Sequence, residues 1–166
     1  MKTAYDFTSA SCDLLLNPRI PLKVYERVEK ALQGSSFQGH ILIASSGTTS
    51  QLNEFKVIAL SKEAILASAR AVNTYLEASC NDVWLNPLPE FHVGGLGIYA
   101  RAHLSKSQVI PLQKWDRELF LQEIVSHDVT LTSLVPAQVY DLLIKEIPAP
   151  KSLRRIIVGG GVLNDS

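Results

Sequence analysis

Neither sign of charge dominates this chain. Across its 166 residues, 16 Lys and Arg balance 16 Asp and Glu, for a formal net charge of zero. No basic stripe interleaved with aromatics runs through it. Broad electrostatic attraction to nucleic acid or to an anionic membrane surface is therefore not expected. No run of about 18 apolar residues exists, which excludes a membrane-spanning helix of ordinary length. The opening "MKTAYDFTSASCDLLL" lacks the continuous apolar stretch of a secretory signal. Cysteine is scarce: Cys12 and Cys80 stand far apart and form no CxxC pair. That argues against a disulfide framework or a zinc site and for a reduced, cytoplasmic protein. Both are expected to behave as small buried hydrophobes.

What is present is globular: 46% hydrophobic and 19% charged residues, in a length sufficient for a proper core. Short apolar runs recur at "HILIA" (40–44), "DVWLN" (82–86), "SQVIPL" (107–112), "VTLTSLV" (129–135) and "RRIIVGG" (154–160). Several are nearly continuous in Ile, Leu and Val, the pattern of strands buried on both faces.

Helical periodicity lies between them. Over 61–79, Ile65, Ala69, Val72 and Leu76 share one face, with Ser61 as N-cap. Over 116–127, Asp116 is the candidate N-cap and Leu119, Phe120 and Ile124 the apolar stripe. The helix over 136–147 opens on Pro136, buries Val139 with Leu142 or Leu143, and closes near Lys145. A further helix over 22–34, "LKVYERVEKALQG", is ended by Gly34 and follows a turn at "LNPRIP" (16–21). Strand–helix alternation predicts an α/β fold with a largely parallel, helix-covered sheet. In such sheets ligands bind beyond the carboxyl ends of the strands.

Three unusual stretches fall at such ends: "SSGTTS" (45–50), "PLPEFHVGG" (87–95) and "GGG" (159–161). By itself "SSGTTS" reads equally as a solvated linker or as an anion loop, in which Ser and Thr hydroxyls would donate to phosphate oxygens and Gly47 would let successive N–H groups turn onto the anion. The Walker motif is excluded because no Gly-Lys pair opens a helix, and the "GGG" stretch is not GxGxxG. His40, His103 and His127 lack ligand-like spacing and are read as structural or surface residues. Trp84 and Trp115 are read as core or half-buried anchors.

Taken in order, four segments resemble the adenylate-forming enzymes, the group that includes acyl-CoA synthetases and luciferases. They are "SSGTTS" with its downstream lysine, "PLPEFHVGGLGI" (87–98), "LTSLVPAQVYDLL" (131–143) and "LRRIIVGGGVLN" (153–164). Within that family, "SLVPAQ" and "PEFHVGGLGI" are most similar to the branch that joins o-succinylbenzoate to coenzyme A in menaquinone biosynthesis. The resemblance implies part of the family's large N-terminal domain and a two-step reaction. A carboxylate attacks the α-phosphate of ATP with Mg2+, and the CoA thiol then displaces AMP.

The resemblance also implies residue roles. Ser45, Ser46, Gly47, Thr48, Thr49 and Ser50 would hold the β- and γ-phosphates, with Lys56 as the loop's lysine. His92 would stand between acyl pocket and nucleotide. Gly94 and Gly95 would keep bulk out of the acyl pocket, and Gly159, Gly160 and Gly161 would pass beside adenine and acyl group. No metal ligand is assigned, and the partners implied are a small carboxylate, ATP and CoA.

Departures accompany the resemblance. Ser50 stands where the family has glycine, Phe55 where it has proline, and about three extra residues precede Lys56. The family's Tyr-Gly-x-Thr-Glu segment, its ribose-binding aspartate and its lysine-bearing C-terminal domain are not in the 166 residues. Residues 1–39 are expected to be a lead-in with one helix, and 40–166 a partial ATP- and acyl-binding domain. Alone, this length of chain is expected to be inactive and to self-associate through an unprotected strand edge. The alternative is a binding or assembly module that keeps the fold without the chemistry.

Overall fold

Strands and helices alternate as the apolar pattern requires, but they build two sheets. The computed structural model describes residues 5–46, 55–146 and 148–162. The chain divides into two units, Met1–Ser68 and Ala69–Ser166, with the boundary inside one helix.

The first unit holds β1 (Asp13–Leu15), α1 (Leu22–Gln33), β2 (His40–Ser46), β3 (Phe55–Ser61) and the start of α2 (Lys62–Leu76). β1 pairs parallel with β2, and β2 pairs antiparallel with β3. A small core of Ile20, Tyr25 and Ala44 forms here, with Leu14, Val24 and Val57 packed on it. The Tyr25 hydroxyl donates to the Asn17 carbonyl at 3.1 Å, so the buried phenol is satisfied. Lys62 is buried and pairs with Asp13 at 2.7 Å while donating to the Ser9 hydroxyl at 2.9 Å. Ser61 caps α2 as expected, accepting from the Ala64 N–H at 3.0 Å.

The second unit carries the parallel sheet. After α2 come β4 (Val83–Asn86), α3 (Val93–Ser105), β5 (Gln108–Pro111), α4 (Arg117–Ser126), β6 (Leu131–Leu134), α5 (Pro136–Leu143) and β7 (Arg155–Val158). The strand order is β5-β4-β6-β7, parallel throughout. Successive side chains on a strand point to opposite faces, and β4 shows it. Trp84 joins Leu76, Ile98, Ala102 and Leu131 on one face; Leu85 joins Phe120, Ile124, Val129 and Leu134 on the other. Both faces are covered at the central strands β4 and β6, which is why their runs do not alternate with polar residues.

Several expectations are corrected. Two elements have no counterpart among the expected strands and helices: 55–61 is a strand paired with β2, and 93–105 is a helix although it opens on "VGGLG". α5 ends at Leu143, which is exposed, and Leu142 is the packed residue. Leu119 lies off the buried stripe of α4, whereas Asp116 caps that helix by accepting from the Leu119 N–H at 2.9 Å. Gly34 ends α1 as expected, although at φ −103° it does so outside the left-handed region. Cys80 is exposed and Cys12 half-buried, so neither is a core residue. Trp84 is fully buried, and Trp115 donates to Asp141 at 2.9 Å. Among the described residues, no helix is long and apolar enough to cross a membrane, and no group of three His, Cys, Asp or Glu is placed to hold a metal ion.

Candidate functional site

Strand order reverses between β4 and β6. The chain leaves β4 through α3 toward β5 on one side, and continues from β6 through α5 toward β7 on the other. Connections that diverge from neighbouring parallel strands leave a crevice at their carboxyl ends. A cavity of about 400 Å³ lies there.

Its walls come from separate parts of the unit. Leu88, Pro89, His92, Gly94 and Gly95 belong to the segment after β4 and the start of α3. Ser133 and Leu134 end β6 and Val135 follows them before α5; Ile157, Gly159 and Gly160 come from β7 and its turn. Arg101 reaches it from α3. Gly160 has φ +82°, a conformation that favours glycine. Gly161 does not line the cavity; a Cβ there would meet the Pro136 ring at 3.5 Å.

Polar side chains fix the walls. Asn86, buried at the end of β4, donates to the Gly95 carbonyl at 3.3 Å and accepts from the Leu88 N–H at 3.1 Å. Gln138 accepts from the Val135 N–H at 3.0 Å and donates to the Pro87 carbonyl at 3.4 Å, tying α5 to the loop after β4. Thr132 donates to the Leu85 carbonyl at 2.9 Å. The His92 backbone starts α3, its carbonyl accepting from the Leu96 N–H at 2.9 Å, and its ring stands 4.8 Å from that of Phe91.

Arg101 is the electrostatic exception in this mostly apolar cavity. Its guanidinium donates to the Ser133 hydroxyl at 3.1 Å and lies 4.9 Å above the Trp84 ring. Its Nε is buried with no hydrogen-bond partner among the described residues. Burial pulls its pKa down to about 10, which leaves it protonated at neutral pH. A buried cation without a carboxylate is costly, and an anionic ligand would relieve that cost.

Of the residues singled out in the sequence, His92, Gly94, Gly95, Gly159 and Gly160 thus surround one cavity. Ser45 and Ser46 are not loop residues; they end β2 because pairing with β3 continues through them. Lys56 likewise lies within β3, exposed and opposite Ser45 in the register. Gly47, Thr48, Thr49 and Ser50 lie outside the described residues. Sequence reading missed Arg101, Asn86, Ser133 and Gln138. The signal for Arg101 was a charge set between the buried helix positions Ala100 and Ala102.

The family model described as AMP-binding enzyme matches residues 25–166. The chain belongs to the AMP-binding enzyme family. Among curated members, the 2-succinylbenzoate–CoA ligase of Bacillus cytotoxicus is 29% identical over 160 residues, covering 90% of this chain and 33% of the relative. The enzyme of the same name from Staphylococcus epidermidis is 33% identical over 99 residues, covering 60% of this chain and 21% of the relative. The chain therefore spans a third or less of the length of these relatives. Solved structures agree in fold. The o-succinylbenzoate CoA synthetase of Bacillus subtilis, in complex with its acyl-adenylate intermediate, superposes with TM-score 0.68 at 24% identity, covering 92% of this chain and 43% of that one. A double mutant of it bound to a product analogue gives TM-score 0.70 at 24% identity, covering 93% and 34%.

Proposed function

We propose that this chain forms the acyl-binding part of an ATP-dependent acid–thiol ligase that activates o-succinylbenzoate and transfers it to CoA. The observation that carries the reading is Arg101. o-Succinylbenzoate has two carboxylates; one is activated, and the other stays ionised inside the pocket. A mostly apolar cavity with a part-buried guanidinium whose Nε has no partner among the described residues suits such an acid, and a fatty acid would leave the cation unrelieved. His92 at the cavity wall suits a role beside the reacting carboxylate. Gly94, Gly95, Gly159 and Gly160 leave room for the acyl group and adenine.

The phosphates are assigned to Ser45, Ser46, Gly47, Thr48, Thr49 and Ser50, with Lys56 contributing charge. ATP, Mg2+ and CoA serve the reaction, and no magnesium ligand is assigned among the described residues. The setting proposed is cytoplasmic menaquinone biosynthesis, with no nucleic acid or membrane partner.

The test is calorimetry with two non-hydrolysable sulfamoyl adenylates: that of o-succinylbenzoate, and one lacking the carboxylate not joined to the adenylate. The carboxylate-bearing compound should bind at least about tenfold more tightly, the order expected of one charge-assisted hydrogen bond. Arg101→Met should abolish that preference. Equal binding of both compounds by the unmodified chain would overturn the reading. Binding of neither would favour a module that keeps the fold without the ligand.

A further inference from the structure

The start of α3 is an improbable helix. "VGGLG" places three glycines in its first five residues, each about 1 kcal/mol less favourable than alanine in a helix interior. No side chain caps it, because His92 occupies the N-cap without a capping bond. Something other than propensity must hold His92 at the cavity wall. Two features of the fold do this. One is the close approach of Gly95 to Pro89. The other is a polar clamp. The Tyr99 hydroxyl, on α3, donates to Glu90 Oε1 at 2.7 Å, and Glu90 lies two residues before His92. Asn86 holds the Leu88 N–H and the Gly95 carbonyl, fixing the same loop to the same helix.

We propose that Asn86, Tyr99 and Glu90 are positioning residues: together they clamp the 87–92 loop to α3 and so set where the His92 ring stands at the cavity.

The chemistry is consistent with a permanent clamp. Burial, reinforced by the Glu90 carboxylate, pushes the Tyr99 hydroxyl above the ordinary phenol range, so it remains a donor. Glu90 is only half-buried, so its carboxylate is bound by geometry rather than trapped in the core. Losing the hydroxyl should therefore loosen the loop without unfolding the sheet.

The effect on ligand binding rests on the ligase reading; the effect on His92 does not. The experiment uses the whole chain and compares Tyr99→Phe, Glu90→Leu and Glu90→Gln. The His92 ring signals are followed by 13C NMR, the fold by thermal melting, and affinity with the o-succinylbenzoyl sulfamoyl adenylate. Tyr99→Phe and Glu90→Leu should shift or broaden the His92 ring signals and weaken the adenylate about tenfold. Glu90→Gln, whose amide oxygen still accepts from Tyr99, should stay within about twofold of the parent. His92 signals unchanged in both Tyr99→Phe and Glu90→Leu would overturn the clamp, as would Glu90→Gln behaving like Glu90→Leu. If Tyr99→Phe fails to fold, the two Glu90 variants decide alone. If the parent chain does not bind the adenylate, the ligase reading fails, and the His92 signals still decide the clamp.

Discussion

Gly95 shows how one missing side chain shapes the site. A Cβ there would fall 2.3 Å from the Pro89 carbonyl oxygen and 2.7 Å from its carbon. Those are backbone atoms, so the loop itself would have to move. Gly97, two residues on, is different: a Cβ would meet only the Arg101 guanidinium, at 3.6 Å. The two positions therefore predict opposite outcomes. Gly95→Ala should lose about 1–3 kcal/mol through overpacking, less the helix propensity it gains. Gly97→Ala should be neutral or up to about 1 kcal/mol more stable. Urea unfolding of both variants checks this, and equal midpoints would refute the backbone-contact explanation. The sequence pointed to Gly95 as space for a ligand. The fold shows an additional demand, made by the protein's own loop.

Elements meet at Asp82, immediately before β4. Its carboxylate accepts from Arg154 at 2.8 and 2.9 Å, from the Thr130 hydroxyl at 2.7 Å and from the Ser79 N–H at 2.8 Å. Arg154 also donates to the Leu76 carbonyl at 2.7 Å, so the end of α2 and the entries to β4, β6 and β7 share one knot. Burial alone would raise the pKa of Asp82, but the bonds from Arg154, Ser79 and Thr130 outweigh it and hold it at about 2, below the ordinary 3.8. A depressed carboxylate contributes stability above its unfolded pKa and loses it as pH falls through the folded one. The knot should therefore contribute about 2 kcal/mol at neutral pH. That contribution should disappear between roughly pH 4 and pH 2. Asp82→Asn should destabilise at pH 7 and flatten the acid limb of a stability–pH curve; an unchanged limb would contradict it. None of this was legible in the sequence, because Asp82 and Arg154 are 72 residues apart and each reads as an ordinary surface charge. The elements themselves were more legible. β4, β6 and β7 announced themselves as apolar runs, and Asp116 and Pro136 marked helix starts. β3 and α3 did not: β3 depends on pairing with β2, and α3 on packing that overrides its glycines.

At the scale of the whole molecule, β7 ends the parallel sheet with β6 as its one neighbour among the described residues. Ile156 and Val158 are 42% and 40% exposed on it. Such an edge favours pairing with a second copy. The chain is expected to self-associate in sedimentation velocity at high concentration, and Ile156→Lys with Val158→Lys should restore the monomer. A monomeric parent chain under the same conditions would refute this. The sequence by itself determined the α/β character of the chain, the order of its parallel strands along the polypeptide and its membership of the AMP-binding family. These follow from local periodicity and from motifs read in order, which need no partner in space. Only the tertiary structure decided the division into two sheets, the reversal of strand order between β4 and β6, and the placing of Arg101 and His92 in the wall of one cavity. Those are pairings between residues distant along the chain, selected by burying both faces of one sheet, and no local pattern records which strand will lie beside which.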